Sequence, residues 1–504
     1  NVVLSGMSVY RPLLRLTAQG ALVDLPASPG GGRMIRAVDT ARSIVASNPT
    51  NPDRSALPSD AFGVVEFFDG RIVDAGGDIV TSLSGRIGWP ALDRGARLNA
   101  SGIWRGENIT MEATTASPLL LMAGGTTPVK ASLKSTLVEA SFEGTANLSG
   151  EAYFDGQASL SSPSLRRTLE WSRTQIAPGA AIGAMSVASR IQGNARRLRL
   201  DSAALTLGGN SGRGVLDLTF TDPVPAISGT LAFDKLDLRS FLSAFSPVAS
   251  GDGSIHDQID LGFAQQLSLD LRLSAGSATL GAVTLSDIAA STQVKGNLAA
   301  FDISDANAFG GEVQAGVRID AAGGNKTTEM RLMASDVDAF ALAKAAGVER
   351  LLPQGRATIS VILKGTGNDW NTVMGNAEGS VTASLGQGAL VGLDLAKFRE
   401  RWAAGGFFPL SEVAGGTLPL RSFDFKARVT GGVARIEKAD ALLDQRVMSV
   451  VGIVPYFSRA LALSGYFAPV SADGTRGDVE TPFFIGGAWD APFVAPAMAD
   501  YSYE

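Results

Sequence analysis

The sequence predicts a mostly β protein, an elongated antiparallel sheet with a few short helices. Three observations carry that prediction. Apolar and polar residues alternate with a period of two in segment after segment: Leu267, Leu269, Leu271 and Leu273 against Ser268, Asp270 and Arg272; Val313, Ala315, Val317 and Ile319 against Glu312, Gln314 and Arg318; Phe423, Phe425, Ala427 and Val429 against Asp424, Lys426 and Arg428. That period gives one greasy and one wet face, as in antiparallel sheets that meet water on one side. Glycine supplies 59 of 504 residues and only 18% are charged, which suits many short strands and tight turns. Segments of helical period are few and short. Candidate strands number about 25 to 30 at about five residues each, and stacked about 4.8 Å apart they make a ribbon on the order of 100 Å long unless it closes.

Composition excludes several function classes. With 43 basic and 49 acidic residues the net charge is −6 and there is no long Lys/Arg run, so nucleic acid is not an expected partner. The chain has no cysteine, hence no disulfide and no thiolate chemistry, and its single histidine, His256, excludes a metal cage built on several histidines. No metal or cofactor is expected. No window approaches the roughly eighteen consecutive apolar residues of a membrane-spanning helix. The chain opens on Asn1 rather than Met, as a trimmed chain does.

In order, residues 7–25 read as short strands around Arg11-Pro12. Ile35, Val38, Ala41 and Val45 then recur at three- and four-residue spacing, the apolar stripe of an amphipathic helix. The Asn/Pro-rich stretch 47–59 is a loop, and 62–160 is a strand meander in which Ile109, Met111 and Ala113 oppose Thr110 and Glu112. Ser162-Pro163 opens a helix of about three turns, with Ser162 as cap and Pro163 at the first helical position, where its missing amide does no harm. Beyond Ile182 the chain is quasi-periodic. LTLGGNSGRGVLDL and NAFGGEVQAGVRID lie 102 residues apart, and KLDLRSFLSAF and DVDAFALAKAA lie 101 apart. This predicts a unit of about a hundred residues: a double-glycine hairpin, a strand, and a short helix capped by Asp237 or Asp338. A third capped helix follows Asp394, and ADALLDQRVMSVVGIV supplies a third hairpin. The expected organisation is an N-terminal β-meander region with two helices over 1–180 and a repetitive β region over 181–504.

The stretch from Arg356 to Trp402 joins these signals. Ala357, Ile359, Val361 and Leu363 alternate with Thr358, Ser360 and Ile362; Gly365 and Gly367 break the strand; Asn368-Asp369 precedes a helical turn at WNTVMGN; and Gly392-Leu393-Asp394 leads into LAKFRERW. Downstream stand GGTLPLRSFDFKARVTGGVARIEKADALL and a closing PFFIGGAWDAPFVAP. This ordered series resembles the C-terminal region of the AsmA-like family of Gram-negative envelope proteins, clearly over about 300–500 and diffusely elsewhere. The resemblance implies a U-shaped β-groove lined by apolar side chains, kinship with bridge-like lipid transfer proteins, and phospholipid carried between inner and outer membranes. It also implies a periplasmic place, an inner-membrane anchor upstream of this chain, and room for an outer-membrane partner.

From alternation alone, an ordinary dry core is the expected use of the greasy face and a ligand groove the alternative. Under the resemblance the groove takes precedence, with Leu267, Leu269, Leu271, Leu273, Val313, Val317, Ile319, Ile359, Val361, Leu363, Phe423 and Phe425 as its expected lining. A groove acts physically: each buried methylene is worth roughly 0.8 kcal/mol, so an acyl chain needs a continuous apolar path to leave a bilayer. Catalysis is not expected. His256, near Asp252 and Asp257, lacks a nucleophile elbow, that stretch lacks the carboxylates of an EF-hand loop, and GGNSGRG lacks the Lys-Ser/Thr of a P-loop. Two further readings stay open: an assembly factor for outer-membrane proteins acting through sheet-edge pairing, and a β-solenoid enzyme acting on polysaccharide with an acidic pair that nothing in the sequence selects.

Overall fold

The computed structural model describes residues 2–5, 15–19, 22–24 and 36–48, and residues 52–497 apart from 58, 60, 75–76, 149–151, 173–182, 223, 246–257, 260, 323 and 472–473. The protein is mostly β with short helices, as the alternation predicts. It divides into two compact units, residues 1–232 with 266–268, and residues 233–265 with 269–504.

In the first unit, β1 (Val2–Ser5), β2 (Arg15–Gln19) and β3 (Leu22–Asp24) precede α1 (Arg36–Ser47) and β4 (Ala61–Asp74), with which β2 and β3 pair in parallel. An antiparallel meander follows, each strand paired with the next: β5 (Gly77–Ala91), β6 (Ala96–Trp104), β7 (Glu107–Thr115), β8 (Thr127–Lys134), β9 (Glu139–Asn147), β10 (Tyr153–Ser162), β11 (Met185–Asn194), β12 (Arg197–Leu207) and β13 (Asn210–Thr219). The amphipathic helix predicted around Ala41 is α1. It packs on a helix not foreseen, α2 (Pro118–Ala123), through a cluster of Ala41, Leu57, Trp89, Leu119 and Leu120. Proline at the first position and Gly124 in the left-handed region (φ 92°) bound α2. The predicted helix of about three turns is α3, described over Leu165–Ser172. Ser162 is still part of β10, paired with Met185, so Pro163 is a link rather than the first helical residue, and the Ser164 hydroxyl accepts from the Arg167 amide.

The division between the units falls inside β14 (Ala226–Asp237), which leads into α4 (Leu238–Phe245). In the second unit β15 (Ser268–Leu280), β16 (Val283–Lys295), β17 (Leu298–Ala308), β18 (Gly311–Asp320) and β19 (Thr327–Asp338) run in antiparallel succession to α5 (Ala339–Ala345). β20 (Leu352–Thr366), α6 (Trp370–Gly375), β21 (Glu378–Val391) and α7 (Leu395–Ala404) come next, then β22 (Phe408–Pro409) and β23 (Thr417–Leu420). β24 (Ser422–Thr430), β25 (Val433–Leu442), β26 (Arg446–Pro455), β27 (Ala460–Pro469), β28 (Glu480–Ala488) and β29 (Ala491–Pro496) complete the sheet. β21 takes β23 and β24 end to end along one side, β24 to β29 pair in order, and β22 pairs with β29.

The three predicted caps are caps. Asp237 accepts from the Ser240 amide, Asp338 from those of Phe340 and Ala341, and Asp394 from that of Lys397. The order double-glycine turn, strands, capped helix occurs twice, from the Gly208-Gly209 turn to α4 and from the turn at Gly310 to α5. The third version is rearranged: the β25–β26 hairpin comes after α7, not before it. Residues in the left-handed region sit at register shifts within the strands, among them Ser202, Asp287 and Asp336 (φ 52° in each). Such bulges bend a strand and sharpen its twist.

Candidate functional site

Register determines which side chains share a face, and in the second unit it lines up one unbroken apolar row. Reading directly opposed residues from strand to strand gives Leu273, Ala290, Ile303, Ala315, Leu332, Val361, Val381, Ala427, Ile436, Gly452, Leu463, Ile485, Val494 and Phe408. No polar side chain interrupts it. A neighbouring row runs Leu271, Thr292, Phe301, Val317, Met330, Leu363, Gly379, Val429 and Ala434, with Thr292 its one polar member. At about 4.8 Å per strand, the first row spans roughly 60 Å. The first unit has its own: Ala100, Met111, Leu133, Ala140, Leu160, Val187 and Leu205.

Eleven of the twelve residues proposed from sequence fall on the second unit's apolar face; Leu267 precedes β15 and is buried. Burial separates the eleven. Leu269, Leu271, Leu273, Val313 and Ile319 are fully buried, whereas Val317, Ile359, Val361, Leu363, Phe423 and Phe425 are half-buried, as are Met330, Leu332 and Val381 beside them. The middle of the face is therefore accessible while its ends are covered. At one end α4 lays Leu238 and Phe241 over a cavity of about 200 Å³ whose floor includes Val294, Ala299 and Ile319. At the other, Phe398 of α7 meets Phe408, Phe467 and Phe483 edge-on at 5.9, 5.8 and 5.2 Å, and the Trp402 indole donates to the Pro482 carbonyl at 2.7 Å. Phe301, Met330, Leu332 and Val381 were not singled out from sequence, although their strands carry the same alternation.

The opposite face is ionic. Pairs between neighbouring strands include Lys364–Glu329 (2.9 Å), Lys426–Glu437 (3.0 Å) and Lys438–Asp424 (3.2 Å), and Arg331 reaches Asp302 (2.7 Å) across Gly316 of β18. The Arg356 guanidinium grips Asp336 at 2.7 and 3.0 Å and holds its carboxyl below the usual range. The Lys397 backbone amide does the same for Asp394, and Lys426 for Glu437. At Asp440 burial pushes the carboxyl up, but hydrogen bonds from the Ser449 hydroxyl and Arg476 outweigh it and the net shift is downward. A carboxylate held below its ordinary value stabilises the fold above that value, and the contribution is lost as pH falls through the folded one. Urea midpoints are therefore expected to stay level from pH 7 to about 5 and to fall steadily below about 4.5, with Asp440→Asn flattening the fall. Equal slopes in the two proteins would remove Asp440 from the account.

Among the described residues no three His, Cys, Asp or Glu side chains converge as a metal site, and no helix is long and apolar enough to cross a membrane. His256, Asp252 and Asp257 lie outside the described residues.

Fold and face together define an antiparallel sheet protein whose two surfaces are of opposite character, greasy on one side and ionic on the other. The chain belongs to the AsmA family, which it matches over residues 181–439, just over half of its length. The match begins upstream of the region that the motifs resemble most clearly and ends short of the closing PFFIGGAWDAPFVAP. No curated protein and no solved structure matches it. AsmA proteins are envelope proteins, and membership fits a role in lipid transport or envelope assembly rather than in catalysis.

Proposed function

We propose that the protein binds phospholipid acyl chains along its apolar face and conducts phospholipid between the inner and outer membranes, acting in the periplasm from an inner-membrane anchor. The carrying observation is the uninterrupted apolar row from Leu273 to Phe408 with its half-buried middle. A long row of apolar side chains left only half-buried marks a site for an apolar partner. Contacts along it are non-directional, so acyl chains slide without losing specific bonds, while the charged headgroup keeps to water at the edge of the sheet. An assembly role would need a free strand edge. At β29, Pro492 and Pro496 offer no amide and β22 already covers Phe493 and Val494, so this edge is poorly suited to strand pairing.

Native mass spectrometry of the purified chain, with organic extraction, tests the reading. Several phospholipids per chain are the expected result. A stable, lipid-free protein after expression in cells that supply phospholipid would overturn it.

A further inference from the structure

Along the second unit's apolar face, burial rises from the middle toward β15, and one cavity interrupts that rise. Leu332 and Val361 are half-buried and Leu271 and Leu273 are fully buried; between them, over β16 to β18, lies the space of about 200 Å³ beneath α4. Ala315 and Val317 belong both to its wall and to the two apolar rows, which continue from them to Leu332 and Met330. The cavity therefore stands where the accessible part of the face ends. Leu238 and Phe241 roof it, Val294, Ala299 and Ile319 lie beneath them, and Thr292 is the one polar side chain on its wall. An apolar cavity of about 150 Å³ accepts a six-carbon ring, so this one has room for about eight carbons of a chain. A carboxylate or phosphate drawn between such walls gives up its water and gains no partner, whereas each methylene gains by leaving water. The end of a lipid that fits here is the methyl end.

We propose that this cavity seats the methyl end of an acyl chain, so that a lipid bound at this end of the path lies with its tail under α4 and its polar end toward the half-buried middle of the face. The inference rests on the lipid reading above and adds to it a fixed orientation at one terminus.

The test uses two hexadecanoic acids, one with a photoreactive diazirine at the terminal carbon and one with it beside the carboxylate, each cross-linked to the purified chain and located by peptide mass spectrometry. The terminal probe is expected to label the α4 peptide that holds Leu238 and Phe241 about tenfold more than the other probe does, the worth of two buried methylenes. The carboxylate-side probe should label β19 and β20 instead. Ala299→Leu and Ala315→Leu each put carbon into the cavity and should remove the α4 label, while the carboxylate-side probe still labels β20. Thermal melts check that each variant is folded, and Ala315, being only half-buried, has room for leucine. Equal labelling of α4 by both probes, labelling of β20 with none on α4, or an α4 label that survives in a folded leucine variant overturns the seat and leaves the lipid reading standing. No label on α4 or β20 from either probe overturns both.

Discussion

Val361→Asp is expected to lower the phospholipid recovered with the protein by an order of magnitude or more, and Ser360→Asp to leave it near the native level. The two positions are adjacent on β20 and point to opposite faces. Val361 lies in the apolar row between Leu332 and Val381; Ser360 lies between Met333 and Thr382 on the ionic side. A carboxylate in the row removes contact with two or three methylenes, at roughly 0.8 kcal/mol each, and must either be desolvated by the passing chain or hold it off. About 2 kcal/mol corresponds to roughly a thirtyfold loss of affinity, before any desolvation is counted. Because the chain has to cross this strand to travel along the row, the loss should appear in transfer between vesicles as well as in binding. Val361 is half-buried, so aspartate there keeps access to water and the fold should survive. Leu271 offers no such test: at 4% exposure it is part of the covered end, and a charge there would unfold the protein before it reported on lipid. Equal lipid content in folded Val361→Asp and Ser360→Asp proteins would mean that the apolar face is not the path.

Alternation in the sequence separated the two faces because period two survives whatever a strand pairs with; the leucines of β15 and their polar neighbours needed no knowledge of β16. The caps Asp237, Asp338 and Asp394 were legible for a similar reason, since a carboxylate and the first amides of a helix lie within three residues of one another. What depends on distant chain was hidden. Leu271 and Val361 look alike in sequence, yet the first is buried and the second only half-buried. Thr292 looked like one more polar residue in STQVKG, and only the register with Leu271 and Phe301 shows it to be polar on the wrong face. The bulges at Asp287 and Asp336 carried no glycine to announce a positive φ, and α2 was hidden inside an apolar run although Ser117-Pro118 and Gly124 marked both of its ends.

The largest loss of stability is expected from Phe398→Ala. Phe398 of α7 is 3% exposed and stands edge-on to Phe408, Phe467 and Phe483, three rings from three different strands. β22 lies far in sequence from the paired β27 and β28, so the helix ring ties that distant strand to them. Truncating a buried phenylalanine costs about 3 to 5 kcal/mol, from the lost transfer energy and from the cavity left among neighbours that collapse poorly. Edge-to-face pairs add about 0.5 to 1.5 kcal/mol each beyond burial, and three are lost at once. Phe407 makes the control, because it is 76% exposed and meets Phe493 edge-on, so Phe407→Ala should change stability by less than about 1 kcal/mol. Urea denaturation of both variants measures the difference. If Phe398→Ala proves as mild as Phe407→Ala, α7 is not the element that closes this end of the apolar face, and the covered end would have to be assigned to the sheet alone.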